Sequence, residues 1–169
     1  MSGTLISAKE AMKRIDGADE RHFVAQLGTG YVSLSKNRQY FRGYSFFTSK
    51  FPAKELHELP NDFVARHLVE MSIVTEAVQT SFNARKMNVA LFGNNFPHVH
   101  WNIIPRYGTD PLPEDAIWSI DREIVESVHP SDEDLSSIRD QLKLGIRRLA
   151  NRHEIEVSFE CEPRPGMPS

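Results

Sequence analysis

The sequence predicts an α+β domain, an antiparallel sheet carrying one long and one shorter helix. Three observations predict it. Short apolar or alternating runs recur along the chain, each bounded by Gly, Pro or Asn. Two stretches repeat apolar residues at helical spacing. The 169 residues are 40% hydrophobic and 25% charged, which suits one ordinary core. One domain over 1–162 and a flexible tail over 163–169 are therefore expected.

Residues 22–27 and 31–35 read as short strands on either side of Gly28-Thr29-Gly30. Residues 36–42 are polar and read as a turn or a strand edge. An apolar and aromatic run from Tyr44 to Thr48 reads as a buried strand, ended by Lys50-Phe51-Pro52. The long helix is expected from about Asp62 to Arg85, with Asn61 as N-cap. Phe63, His67, Met71, Val74, Val78 and Phe82 make its apolar stripe, which reads as core. Strands are expected at 87–92 and 98–104, joined by Gly93-Asn94-Asn95-Phe96-Pro97. Pro105 is expected to stop the second, because it cannot donate to a ladder. Residues 106–130 are irregular. The shorter helix starts near Ser131, whose Ser-Asp-Glu-Asp run has the capping-box form. Ile155, Val157 and Phe159 alternate as a last strand.

Composition excludes several classes. A net charge of −3 argues against binding nucleic acid through a bulk basic surface, though a local basic pocket stays open. Cys161 is the one cysteine, so neither an internal disulfide framework nor a Cys-rich zinc site is available. No apolar run approaches the roughly 18–20 residues of a membrane span. The first sixteen residues lack the apolar stretch of a signal peptide. A cytoplasmic protein is expected.

The chemistry concentrates at His98-Val99-His100-Trp101-Asn102-Ile103-Ile104. Strand alternation puts His98, His100 and Asn102 on one face, about 7 Å between neighbours, and turns Val99, Trp101 and Ile103 to the core. A neutral imidazole can attack phosphorus if one ring nitrogen is free and the other is held as a donor. Asn102 offers an amide NH₂, and the Gly93-Asn94-Asn95 turn offers backbone N–H groups for developing charge. Gly93 would let backbone approach a phosphate. The plainer alternative is a pair of half-buried strand histidines in structural hydrogen bonds. A zinc pair is a further one, but no convincing further ligands accompany it. Asn94 and Asn95 suit a phosphate-contacting turn and an ordinary αL turn about equally. Arg106, Lys50, His57, His67 and His153 read as structural or solvated.

At these residues the sequence resembles the histidine-triad (HIT) superfamily, whose motif alternates three histidines with apolar residues and ends in Pro-Arg. Here it stands as His98-Val99-His100-Trp101-Asn102-Ile103-Ile104-Pro105-Arg106. Residues 42–50, 53–59 and 87–97 also resemble the family, the last its short-loop bacterial members of the diadenosine tetraphosphate hydrolase type. The resemblance implies a nucleotidyl hydrolase acting on the α-phosphate of a dinucleoside polyphosphate or a nucleoside phosphoramidate. His100 would be the nucleophile, and His98 would support it, chiefly through its backbone carbonyl. Gly93, Asn94 and Asn95 would contact the phosphate, and Asn37 would lie near the ribose. A homodimer in which two half-sheets join is implied, with no cofactor and no catalytic metal. Two positions depart from the pattern: Asn102 replaces the third histidine, and Phe51 stands where many members have histidine. An amide at Asn102 keeps two alternatives open. One is a nucleotidyltransferase resembling galactose-1-phosphate uridylyltransferase, and the other is a nucleotide-binding module with little turnover.

Overall fold

Residues 5–161 are described by a computed structural model; the tail expected at 163–169 lies outside the described residues. The apolar runs become strands close to where they are expected: β1 (Phe23–Leu27), β2 (Gly30–Leu34), β3 (Ser45–Ser49), β4 (Lys86–Phe92), β5 (His100–Arg106) and β6 (Val157–Ser158). They form one antiparallel sheet in the order β4-β5-β3-β2-β1-β6. Among the described residues four α-helices accompany it: α1 (Ala8–Asp16), α2 (Asn61–Phe82), α3 (Arg122–Val125) and α4 (Asp132–His153). None of the described helices is long and apolar enough to cross a membrane.

Several boundaries differ from expectation, each for a local reason. β5 begins at His100, two residues late, because both neighbours stop there: Thr48 and Phe92 each pair with His100. It also runs through Pro105 to Arg106. β3 pairs with β5 only as far as Ser45↔Ile103, so Pro105 has β4 alone beside it and its missing N–H interrupts no ladder on the other side. Pro60, with φ −56°, stands at the cap of α2, and Asn61 is the first helical residue. Asn83 in the αL conformation (φ 53°) ends α2 at Phe82. Ser131 caps α4 by accepting from the Asp134 amide at 3.2 Å, and the helix continues to His153. The two long helices are thus equal, 22 residues each, rather than one longer than the other. β6 is only two residues and begins at Val157 rather than Ile155, because its partner β1 ends at Leu27. α1 is an element the sequence reading left out. Its cap is Ser7, which accepts from Glu10, and its stop is Gly17 at φ 69°.

α2 and α4 lie on one face of the sheet. Val74, Ala77 and Val78 of α2 meet Leu142, Ile146 and Leu149 of α4 over Val24, Val32, Phe47 and Ile103. Gly145 allows the close approach, since a Cβ there would sit 3.3 Å from the Ala77 carbonyl and run into Ser81. The opposite face carries Phe41, Tyr44, Phe46 and Ile104, covered by Ile15 of α1 and by Ile120 and Val125. Arg106, only 2% exposed, pins that cover. It donates to Asp110 (2.9 Å), to Asn88 (3.0 Å) and to the carbonyls of Asp115 (2.7 Å) and Leu112 (3.1 Å). Its role here is structural.

His67 is fully buried on the inner face of α2, stacked between Phe47 and Phe63 at centroid distances of 4.7 and 5.8 Å. Thr29 donates its hydroxyl to Glu70 at 2.5 Å, so at His67 Nδ1, 3.0 Å away, it accepts. Nδ1 then carries the proton, and Nε2 is a buried acceptor with no hydrogen-bond partner among the described residues. Protonating Nε2 would bury a charge. Burial, helped by the charge of His98, therefore pushes the His67 pKa down to about 4. An unfolded histidine binds its proton near pH 6.5. Between those values the unfolded chain takes up a proton that the folded chain refuses, so His67 costs stability as pH falls from 6.5 towards 4. His67→Phe keeps an aromatic ring and removes the titration. The expected outcome, from urea unfolding at pH 7 and pH 4.5, is a smaller acid loss in the variant than in the wild type. Equal losses would show that His67 takes no part in the acid sensitivity.

Candidate active site

Register decides which side chains meet at the site. In β5, Trp101 and Ile103 turn towards α2 and α4, while His100 and Asn102 turn to the other face. There they line a cavity of about 210 Å³ with Arg38, Phe46, Phe92 and the turn Gly93-Asn94-Asn95-Phe96. Ile15 of α1 closes one side. His98 lies outside the strand and is not among the lining residues. The expected row of three side chains is therefore a pair in the cavity with the third behind it.

His100 is 7% exposed. Its Nδ1 lies 2.7 Å from the His98 carbonyl. A carbonyl only accepts, so Nδ1 carries the hydrogen and Nε2 keeps its lone pair. The His98 ring is fixed by the same rule, its Nε2 donating to the Ser49 carbonyl at 2.7 Å. Phe96 stacks on both rings, 5.3 Å from His98 and 6.1 Å from His100, and Arg14 of α1 lies 5.7 Å above Phe96. Burial lowers the pKa of both histidines. At His100 the bond to the His98 carbonyl opposes that shift, and the charges of His98 and Arg38 add to it. Both rings are held neutral at neutral pH.

The Asn102 amide is oriented from both ends. Its Oδ1 accepts from the Tyr44 hydroxyl at 2.8 Å, and its Nδ2 donates to the Ala90 carbonyl at 3.2 Å. Burial pushes the Tyr44 hydroxyl up to about 12, so it stays protonated and donates. One Nδ2–H remains for a ligand. Gly93 needs no unusual backbone, and a Cβ there would meet nothing closer than the Phe96 carbonyl at 3.8 Å. Its missing side chain leaves the cavity wall open. Asn94 and Asn95 are exposed at the mouth.

Asn37 is not brought to this cavity. Its Nδ2 donates to the Asp16 carbonyl at 3.1 Å, tying the 36–42 turn to the end of α1, and it lines a separate hollow with Arg21 and His129. The next residue, Arg38, turns into the cavity instead. Sequence reasoning missed Arg38, Tyr44 and Phe96 as site residues. The last was legible as an aromatic beside the Asn-Asn turn; the other two needed the pairing of β3 with β5. Among the described residues, no group of three or more His, Cys, Asp or Glu is placed to hold a metal.

Comparison with known proteins agrees with this geometry. Residues 46–109 match the family model of the HIT domain. A histidine triad protein from Marinobacter aquaeolei is 26% identical, covering 76% of this chain and 90% of that one, with a TM-score of 0.64. A second, from Bradyrhizobium japonicum, is 21% identical over 73% of this chain and 89% of its own, with a TM-score of 0.63. A Plasmodium falciparum diadenosine triphosphate hydrolase shares the fold at 17% identity, covering 79% and 82% of the two chains, with a TM-score of 0.59. No curated protein matches the sequence. Residues 46–109 thus resemble the HIT domain, and the chain shares its fold with histidine triad proteins.

Tyr44→Phe removes the donor to an Asn102 that is 4% exposed. A buried amide oxygen left without a partner costs about 1–3 kcal/mol. Urea unfolding should show that loss, and an unchanged midpoint would mean that another donor holds the Asn102 amide.

Proposed function

We propose that this HIT-domain protein is a nucleotidyl hydrolase. It acts at the α-phosphorus of a dinucleoside polyphosphate or a nucleoside phosphoramidate, through a nucleotidyl-histidine intermediate on His100. The reading is carried by the proton position on His100, with Nδ1–H held by the His98 carbonyl at 2.7 Å and Nε2 left as a lone pair. Nε2 attacks phosphorus; the P–N bond to His100 forms, the bond to the leaving group breaks, and the leaving group takes the electron pair, a phosphate departing as its anion and an amine with a proton from solvent. Water then attacks the same phosphorus, the P–N bond breaks, the water's proton passes to solvent, and a nucleoside monophosphate leaves. Gly93, Asn94 and Asn95 supply donors to the non-bridging oxygens, as does the spare Nδ2–H of Asn102. His98 positions the nucleophile. No cofactor is called for.

Asn102 favours a second reading. An amide cannot be protonated as an imidazole can, which suits transfer of the nucleotidyl group to an acceptor phosphate as well as hydrolysis. We also propose a homodimer. β4 is one of the two edges of the sheet, the one next to β5. Beside it Phe92 is 47% exposed and Trp118 is 73% exposed, their ring centroids 6.5 Å apart. The cytoplasm is the compartment proposed, since a single cysteine gives the chain no disulfide framework.

His100→Ala should abolish turnover on diadenosine polyphosphates and adenosine 5′-phosphoramidate while keeping much of the nucleotide affinity. Turnover that survives in the variant would remove His100 as the nucleophile. Wild-type activity should persist below pH 6.5, because burial lowers the His100 pKa and the unprotonated ring is the active form. Static light scattering should give twice the monomer mass for the wild type and a lower mass for Trp118→Glu. A monomeric wild type at micromolar concentration would contradict the dimer.

A further inference from the structure

We infer that Arg38 supplies the positive charge on the substrate phosphates that Asn102 cannot. We further infer that the site therefore prefers phosphoanhydrides, whose leaving group departs as an anion, to phosphoramidates, whose amine leaves only with a proton. The inference rests on the reading of His100 as nucleophile and narrows its substrate class.

Arg38 is half-buried in the turn between β2 and β3 and lines the same cavity as His100 and Asn102. Its guanidinium lies 5.7 Å over the Tyr44 ring, and the Tyr44 hydroxyl holds Asn102. The cation is thus placed beside the third motif position, and His100 feels its charge. Among the described residues no carboxylate forms an ion pair with it. Asp16, which also feels the charge, is bound instead by the Ser35 hydroxyl at 2.9 Å and the Lys36 amide at 2.7 Å. A guanidinium that is partly desolvated and not neutralised by a carboxylate is suited to bidentate pairing with phosphate oxygens.

The proton inventory of the cavity decides the leaving group. Apart from the histidine, its lining is Arg38, three asparagines, a glycine and apolar side chains. Arginine does not release its proton, and an amide has none to give. The Nδ1–H of His100 is committed to the His98 carbonyl. The Tyr44 hydroxyl is committed to Asn102. When Nε2 attacks an anhydride, the P–N bond forms, the P–O bond breaks, and the bridging oxygen takes the pair as a phosphate anion; Arg38 stabilises that charge and no proton moves. When it attacks a phosphoramidate, the departing nitrogen must gain a proton, and no side chain lining the cavity provides one.

The test measures kcat/KM on a diadenosine polyphosphate and on adenosine 5′-phosphoramidate for the wild type, Arg38→Gln, Arg38→Lys and His100→Ala. Affinity for AMP and for adenosine is measured alongside. The wild type should favour the anhydride by about 10²-fold, the usual worth of a general acid. Arg38→Gln should lower kcat/KM on the anhydride by about 10²-fold, the scale of losing one preorganised charge donor. Arg38→Lys should recover part of it. Arg38→Gln should also weaken AMP by about 10-fold and leave adenosine unchanged, which separates a lost phosphate contact from a misfolded site. Faster turnover of the phosphoramidate overturns the substrate preference. Unchanged turnover and AMP affinity in Arg38→Gln overturns the role of Arg38. If His100→Ala keeps its rate, or nothing is turned over, the nucleophile reading fails and takes the substrate preference with it; AMP affinity then still decides whether Arg38 meets phosphate.

Discussion

A backbone carbonyl can accept a hydrogen bond and cannot donate one. The proposed chemistry depends on that asymmetry at His98, whose carbonyl lies 2.7 Å from His100 Nδ1. It puts the imidazole proton on the inner nitrogen and leaves the outer one as a base or nucleophile. The same constraint acts one step back, where the Ser49 carbonyl holds His98 Nε2. Two imidazoles are thereby set by backbone geometry, with Phe96 stacked across both. Burial supplies the complement, since it disfavours protonation of either ring.

That geometry stands on the sheet. β5 lies between β3 and β4, so its carbonyls and side chains are fixed from both sides as far as Ile103. The α2–α4 layer covers the face carrying Ile103 and Phe47, and α1 with the segment pinned by Arg106 covers the face carrying Phe46 and Ile104. A strand buried on both faces offers little freedom to the residues on it. The motif gains positional precision from this packing, and the polar turn at 93–96 stays at the surface, where a ligand can reach it.

Much of this was legible before any coordinates. β1, β2, β3 and β4 follow from short apolar runs between Gly, Pro and Asn, and α4 follows from its Ser131 cap and the Leu135–Leu149 stripe. His100, Asn102 and the Gly93–Asn95 turn meet in one cavity because alternation along a strand and adjacency in sequence are local rules. The departures are long-range or terminal. Pro105 continues β5 because β3 happens to stop short of it, which no window of sequence reveals. Arg38 and Tyr44 reach the site only through the β3–β5 register, and Asn37, one residue away, is drawn off to the end of α1. α1 is a different case. Ala8, Ala11, Met12 and Ile15 carry the helical spacing between a serine cap and a glycine stop, so the signal for α1 is present in the sequence.

The central claim is a covalent bond between His100 and a nucleotide. The most direct measurement is to mix the protein with an α-labelled dinucleoside polyphosphate and quench in base, where phosphoramidate bonds survive. The label is then located by peptide mass spectrometry. The account predicts one nucleotidyl group on the peptide containing His98 to Arg106, mapped to His100 and missing from His100→Ala. Turnover with no adduct, or an adduct on any other residue, would contradict it.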